Sequence, residues 1–455
     1  MNLTGSFRRF FKKKFDSYPN NKLKRSLLNA LPFWTGAFIA GCVAVLYAKL
    51  FSLAEAGTMY FFHKAGWSLF VITPLSFLLA WWLVIRFAPF AKGSGIPQVI
   101  AAIDLTTPGH SYKISRLLSI RVVIVKVCSS VLMVFGGGVT GREGPTIQIA
   151  ATIFKKINDL LPAWYPKISR RNMIVTGAAA GLAAAFNTPL GGIVFAIEEL
   201  TKTHFSFFKS ALLTGVIIAG LTALTLLGPY LYLGYPSLDG IPVWILLVII
   251  PLAIISGLAG SGMGSFILYV FRKKNKLTRN FRKAVYVVCC GLLVAGLAFC
   301  FGEIALGSGK EIMVKALFTA DKHVEWYVPL IRMVGSIITF TTGAAGGVFA
   351  PSLAAGASIG AVTAELFHLT ATQTNLVILC GMTGFLSGIT RSPFTSLILV
   401  LEMTNTHNII FYIMITALLA NLVAQSVSRH SFYDQLSDQY IRDIHKLEKQ
   451  TNPGT

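Results

Sequence analysis

Long apolar stretches, separated by short polar and basic loops, dominate the chain. Apolar runs of spanning length, or close to it, occupy 30–50, 67–85, 208–227, 243–271, 284–301 and 409–427. About 20 apolar residues carry a helix across the hydrocarbon core of a bilayer, so each run predicts a membrane helix. Other apolar segments are cut by glycine and proline, at 93–97, 136–145, 187–189, 343–351 and 392–393. Broken helices at membrane depth persist only where protein buries them or a cavity lets water reach them. The pattern predicts an all-α, multi-pass membrane protein with its chemistry at the breaks.

The breaks come in pairs. The stretch GLAAAFNTPLGGIVFAIEE (181–199) is similar to GFLSGITRSPFTSLILVLEM (384–403). Pro189 stands nine residues before Glu198, and Pro393 nine before Glu402. Upstream, GREGP ends at Pro145 and GVFAP at Pro351, with offsets of 204 and 206 residues for the two pairs of prolines. GSG recurs in matching order at 93–95 and 307–309. Three matches in order predict an internal repeat, 30–235 and 236–428, and short broken segments in two halves favour an inverted one. A basic cytoplasmic segment, 1–29, precedes the repeats. A short C-terminal helix or tail, 429–455, follows them.

Charge refines this picture. Only 13% of residues are charged, against about 25% in soluble domains. The net charge of +22 sits between apolar runs. Arg8, Arg9, Lys12, Lys13, Lys14, Lys22, Lys24 and Arg25 form one cluster, the loop 272–283 holds seven basic residues, and Lys155, Lys156, Lys167, Arg170 and Arg171 form a third. The positive-inside rule accounts for all three, which places these loops and both termini in the cytoplasm and leaves no case for a nucleic-acid partner. No cleaved signal peptide is read. The six cysteines lie in apolar segments without metal or disulfide spacing. GSGKE at 307–311 lacks the Gly at 304 and the Ser or Thr at 311 of a phosphate loop, and the histidines show no HExxH spacing. An enzyme, a metal site and a cofactor are not expected.

The breaks themselves suit an anion. A helix N-terminus presents unpaired N–H groups and partial positive charge, and glycine before it lets backbone approach a ligand closely. GSGIP (93–97), GREGP (141–145) and GGVFAP (346–351) fit, each ending in a proline suited to a first helical turn. Ser94 offers a hydroxyl, either to an anion or as a cap for its own helix. Glu143 is the costly residue, since an acid inside a membrane is a functional candidate by default. On an anion-attracting helix end it acts as a tethered anion that protonation releases; the alternative is an ion pair with Arg142. Glu198 and Glu199 precede Lys202 and lie about 100° apart around a helix, so only one of them can face a proton route.

Together these motifs resemble the CLC chloride channels and chloride/proton exchangers, over about residues 30–440. The resemblance rests on GSGIP, GREGP, GGVFAP, NTPLGGIVFAIEE and SFYDQL (431–436). It implies a homodimer with one anion pathway per subunit, embedded in the lipid of the cell (inner) membrane. It implies chloride/proton antiport, with a passive chloride channel as the alternative. Ser94 looks like the central-site serine; nitrate-selecting relatives tend to have proline there. Val348 and Phe349 look like the residues whose amides face the anion. Tyr433, by itself an ordinary interfacial aromatic, looks like the tyrosine that completes the site. Arg142 and Gly144 belong to the expected chloride-binding set. Glu143 looks like the gating and proton glutamate, and Glu199 like the internal proton glutamate that channel relatives usually replace with an apolar residue. Lys126 resembles a lysine near the gating glutamate. Gln98 and Ile100 stand where relatives often carry acids, which puts the local polar pairing in question. Only 27 residues follow Ser428, so paired cytosolic regulatory domains are not expected and a prokaryotic origin is.

Overall fold

The computed structural model describes residues 21–107, 111–201, 209–228, 232–277, 279–319, 321–406 and 408–451. The basic residues Arg8 to Lys14, and Lys202, lie outside them. Among the described residues every regular element is helical, apart from two isolated backbone bridges. Eight segments are long and apolar enough to cross a membrane: Ser26–Lys64, Gly66–Phe87, Ile114–Phe135, Ser210–Leu227, Val243–Asn275, Asn280–Phe318, Phe349–Leu366 and Ile410–Val427. All six expected spans are among them. The two additions escaped the apolar pattern for physical reasons. Ile114–Phe135 carries Arg116, Arg121 and Lys126, and Phe349–Leu366 is built largely from Ala, Gly and Ser.

The small residues of the second addition put it at the centre. In its best window, 78% of the Phe349–Leu366 helix is buried, against 28% for Ile410–Val427. It packs along Ala371–Thr390. A Cβ on Gly360 would stand 2.6 Å from the Ile378 Cα and the Val377 carbonyl. Small residues let membrane helices meet backbone to backbone in this way. In the first repeat Glu143–Leu160 packs along Arg170–Phe186 in the same manner, with Gly177 and Gly181 against Phe154 and Ala150.

The predicted repeat is visible at its breaks. Asn187 (φ 58°) and Arg391 (φ 65°) end equivalent helices in the left-handed conformation. The short helices Pro189–Phe195 and Pro393–Thr404 follow and pack on each other. Each half then caps the other. The Glu198 carboxylate accepts from Phe394 N (3.1 Å), Thr395 N (2.7 Å) and Thr395 Oγ1 (2.7 Å). Glu402 accepts from Leu190 N (3.0 Å) and Gly191 N (2.7 Å). A carboxylate satisfies orphan donors at a helix N-terminus and complements its dipole. Glu402→Ala is expected to lower thermal stability in detergent by about 1.5–3 kcal/mol, the usual loss for hydrogen bonds to a charged group. An unchanged melting temperature would show that the exchanged caps contribute nothing.

The two GSG segments also match, each preceding a nine-residue helix, Ile96–Asp104 or Lys310–Phe318. Their surroundings differ. In the second copy Glu55 accepts from Ser308 N (2.7 Å) and Ser308 Oγ (2.9 Å). The buried Arg332 binds the carbonyls of Ile304 (3.1 Å), Leu306 (2.8 Å) and Gly307 (2.9 Å). Structural charges of both signs thus occupy this copy.

Candidate anion site and proton route

Three non-helical segments meet in the protein interior, and their backbone groups satisfy one another. Gly93 N donates to Ala344 O (2.8 Å), and Gly346 N donates to Gly93 O (3.1 Å). Gly141 and Gly347 exchange N–H···O bonds, both 2.8 Å. Irregular backbone at membrane depth needs this pairing. The motifs GSGIP, GREGP and GGVFAP are therefore joined, although 253 residues separate Gly93 from Gly346. Lys126 Nζ donates to Gly93 O (2.8 Å) and so holds the first loop from the side.

From this junction three helices start: Ile96–Asp104, Glu143–Leu160 and Phe349–Leu366. None has a side-chain cap. A few other helices do carry such a cap, with Ser119 accepting from Val122 N, Ser169 from Asn172 N, and a capping box at Thr370. What sets these three apart is that their N-termini start from one junction, where their N–H groups suit an anion. Ser94 does not cap its own helix, whose N-cap is Gly95, so its hydroxyl is not spent there.

Glycine makes the approach possible. Gly95 has φ 113°, and a Cβ there would stand 2.6 Å from Gly144 O. A Cβ on Gly144 would lie 2.9 Å from Ser94 O and collide with Ser94 Oγ. The first two helices meet end to end because both positions lack side chains.

Two hydroxyls face the junction. Ser94 is 1% exposed and Tyr433 0% exposed. The two hydroxyls approach each other, yet neither completes a hydrogen bond among the described residues. A buried hydroxyl without an acceptor loses free energy, and an anion between them would accept from both. Tyr433 is placed by the start of the Phe432–Thr451 helix, where Ser431 Oγ accepts from Asp434 N (3.0 Å). Its ring stacks on Phe349 with centroids 6.1 Å apart and planes 13° apart. Val348 is the N-cap of the helix that Phe349 begins.

Glu143 is buried at the first turn of its helix. Its carboxylate faces its own N–H and that of Ala350, at the N-terminus of the neighbouring Phe349–Leu366 helix. Tyr232 donates to Oε1 over 3.4 Å, and the Lys310 ammonium lies 4.7 Å from the Tyr232 ring centroid. No ion pair joins Glu143 to the half-buried Arg142. The acid therefore lies on helix ends rather than in a salt bridge.

The second acid pair divides as its helical spacing requires. Residues Ala196–Thr201 form a π-helical turn, a feature common at functional sites. Glu198 is half-buried and spent on the cap described above. Glu199 is 4% exposed and accepts a hydrogen bond from Ser392 Oγ. The Tyr433 hydroxyl lies within electrostatic reach of both Glu199 and Glu143. At Gln98 the missing acid is replaced by an amide, whose Nε2 donates to Phe90 O (3.1 Å) and Lys92 O (2.6 Å).

Sequence reasoning missed Tyr232, Lys310 and Ser392 as neighbours of the acids. Nothing in the sequence distinguishes Tyr232 from Tyr230 and Tyr235. Ser392 was within reach, since the repeat sets its break against the one that leads to Glu199.

The chain is similar to known proteins in sequence and in fold. The family described as "Voltage gated chloride channel" matches residues 75–425. The H(+)/Cl(-) exchange transporter ClcA of Salmonella typhimurium is 30% identical over 437 residues, covering 91% of this chain and 89% of the relative. The protein of the same name from Klebsiella pneumoniae is 30% identical over 419 residues, covering 88% and 86%. Among solved structures, a slow cyanobacterial Cl-/H+ antiporter superposes with TM-score 0.80 at 24% identity, covering 91% of this chain and 98% of the other. A eukaryotic CLC transporter gives 0.70 at 20%, covering 90% and 74%.

Proposed function

This chain belongs to the voltage-gated chloride channel (CLC) family, with its all-α inverted-repeat fold, and from that premise we propose that it exchanges chloride for protons. Chloride occupies the junction of the three uncapped helices. Ser94 and Tyr433 donate hydroxyls to it, the amides of Val348 and Phe349 face it, and the backbone of Arg142 and Gly144 lines its outer side. Glu143 is the competing anion. Ionised, it lies on the helix ends and blocks passage; protonated, it loses the attraction of those N–H groups and leaves. Glu199 passes protons to and from the cytoplasmic side. One observation carries this reading: the Glu143 carboxylate rests against the Ala350 N–H, where a substrate anion would bind.

The assembly proposed is a homodimer in the cell (inner) membrane, with both termini cytoplasmic. The outward apolar residues Leu213, Ile217, Leu221, Leu418 and Leu422 suit lipid and subunit contact. A passive chloride channel is the alternative. The buried, hydrogen-bonded Glu199 has no use in it, because an acid inside a membrane is unfavourable unless it does something. A reversal potential that shifts with the pH gradient supports exchange; one set by chloride alone supports the channel.

Two neighbours of the acids give further expectations. Ser392→Ala removes the donor to Glu199. It is expected to lower proton flux relative to chloride flux several-fold while leaving chloride binding, measured calorimetrically, unchanged. An unaltered proton-to-chloride ratio would show that this hydrogen bond does not serve the proton route. Tyr232→Phe removes the hydroxyl that holds Glu143 in place. Loss of about 1 kcal/mol is expected to raise chloride flux at neutral pH about fivefold. An equal or lower flux would show that Tyr232 does not restrain the acid.

A further inference from the structure

Beside the basic residues 272–283, where the helices Leu246–Asn275 and Asn280–Phe301 end and begin, lies a pocket the anion junction does not use. A cavity of about 680 Å³ opens between the helices Leu69–Phe87, Leu246–Asn275 and Asn280–Phe301. Its lining divides by chemistry. Arg86, Lys92, Lys274 and Lys283 supply four basic side chains, and no acidic residue lines it. Trp81, Trp82, Phe271 and Phe281 supply an aromatic wall.

The charges are not balanced from within. Lys92 pairs with Asp443 (3.1 Å). Arg86, Lys274 and Lys283 have no carboxylate within ion-pair distance among the described residues. Lys274 is only 8% exposed. Its ammonium donates to the carbonyls of Thr341 (2.9 Å) and Thr342, and lies 5.3 Å from the Tyr286 ring centroid. A nearly buried ammonium held only by neutral groups, with like charges beside it, is a strong attractor for an anion.

The aromatic wall identifies the anion. Chloride needs no such surface, and a soluble phosphate gains nothing from it. Trp82 is 46% exposed and Phe281 77% exposed, on helices whose outer faces are apolar. Tryptophan beside lysine and arginine marks the membrane–water interface, and basic pockets between membrane helices hold anionic headgroups. We propose that this cavity binds an anionic phospholipid. Arg86, Lys274 and Lys283 hold its phosphate, and Trp82 and Phe281 lie against its glycerol and upper acyl chains. The pocket adjoins the anion pathway, because Lys92 precedes Gly93 and Lys274 binds the two carbonyls just before Gly343, the first residue of the break that leads to Phe349.

Native mass spectrometry of the delipidated protein tests this, with dioleoylphosphatidylglycerol, dioleoylphosphatidylcholine and inorganic phosphate as separate probes. Wild type is expected to retain phosphatidylglycerol in preference to phosphatidylcholine. Arg86→Gln/Lys283→Gln is expected to bind phosphatidylglycerol about 30-fold more weakly, from about 1 kcal/mol for each lost charge. Trp82→Ala keeps every charge and is expected to weaken phosphatidylglycerol alone, so it decides the matter even if the double variant fails to fold. Equal retention of the two lipids by wild type would overturn the proposal. So would inorganic phosphate binding as tightly as phosphatidylglycerol, with Trp82→Ala affecting neither.

Discussion

Glu143→Gln is expected to abolish proton transport while chloride continues to move, at a rate that no longer falls as pH rises. Glutamine keeps the shape of the protonated acid but has no charge to bring it back to the Ala350 N–H and no proton to deliver. The geometry makes this the largest effect in the protein. The carboxylate is buried, lies at the N-termini of two helices and forms no ion pair with Arg142, although the Arg142 charge is within reach. Both fluxes are read together in reconstituted vesicles, with a pH electrode and a chloride electrode. Proton movement that stayed coupled to chloride in Glu143→Gln would end the role assigned to this residue.

The second large effect belongs to Glu199. Glu199→Gln is expected to preserve chloride flux and its dependence on pH, because Glu143 still titrates, but to remove measurable proton flux. Chloride binding should be unchanged, since the nearest anion-site group, Tyr433, keeps its place on Phe349. The same substitution at Glu198 should act differently. Glu198 caps the Pro393–Thr404 helix, so Glu198→Gln is expected to reduce thermal stability more than proton coupling. Coupling lost at Glu198 and kept at Glu199 would reverse the assignment.

The breaks that meet at the junction were legible in the sequence because glycine, proline and an acid at membrane depth each demand a reason. The repeat was legible for the same cause, since its breaks recur with fixed spacing. What stayed hidden depends on distance along the chain. Glu55 fills the second GSG segment from more than 250 residues away, and nothing in its local sequence marks that role. Tyr433 reaches the site from a polar C-terminal helix, and only family resemblance pointed to it. The Phe349–Leu366 helix escaped the apolar pattern because its alanines and glycines serve close packing rather than contact with lipid. The division of labour between Glu198 and Glu199 was expected from helical spacing, but which acid turns inward was set by the π-helical turn and by Ser392.

The central claim is that one chain couples two ions through one carboxylate. Its most direct test is a chloride gradient imposed across vesicles containing the purified protein, at equal pH on both sides, with the membrane potential clamped by valinomycin and potassium. The account predicts that protons move against the gradient they create, opposite in direction to chloride. Chloride movement with no proton displacement would contradict it and leave a passive chloride channel.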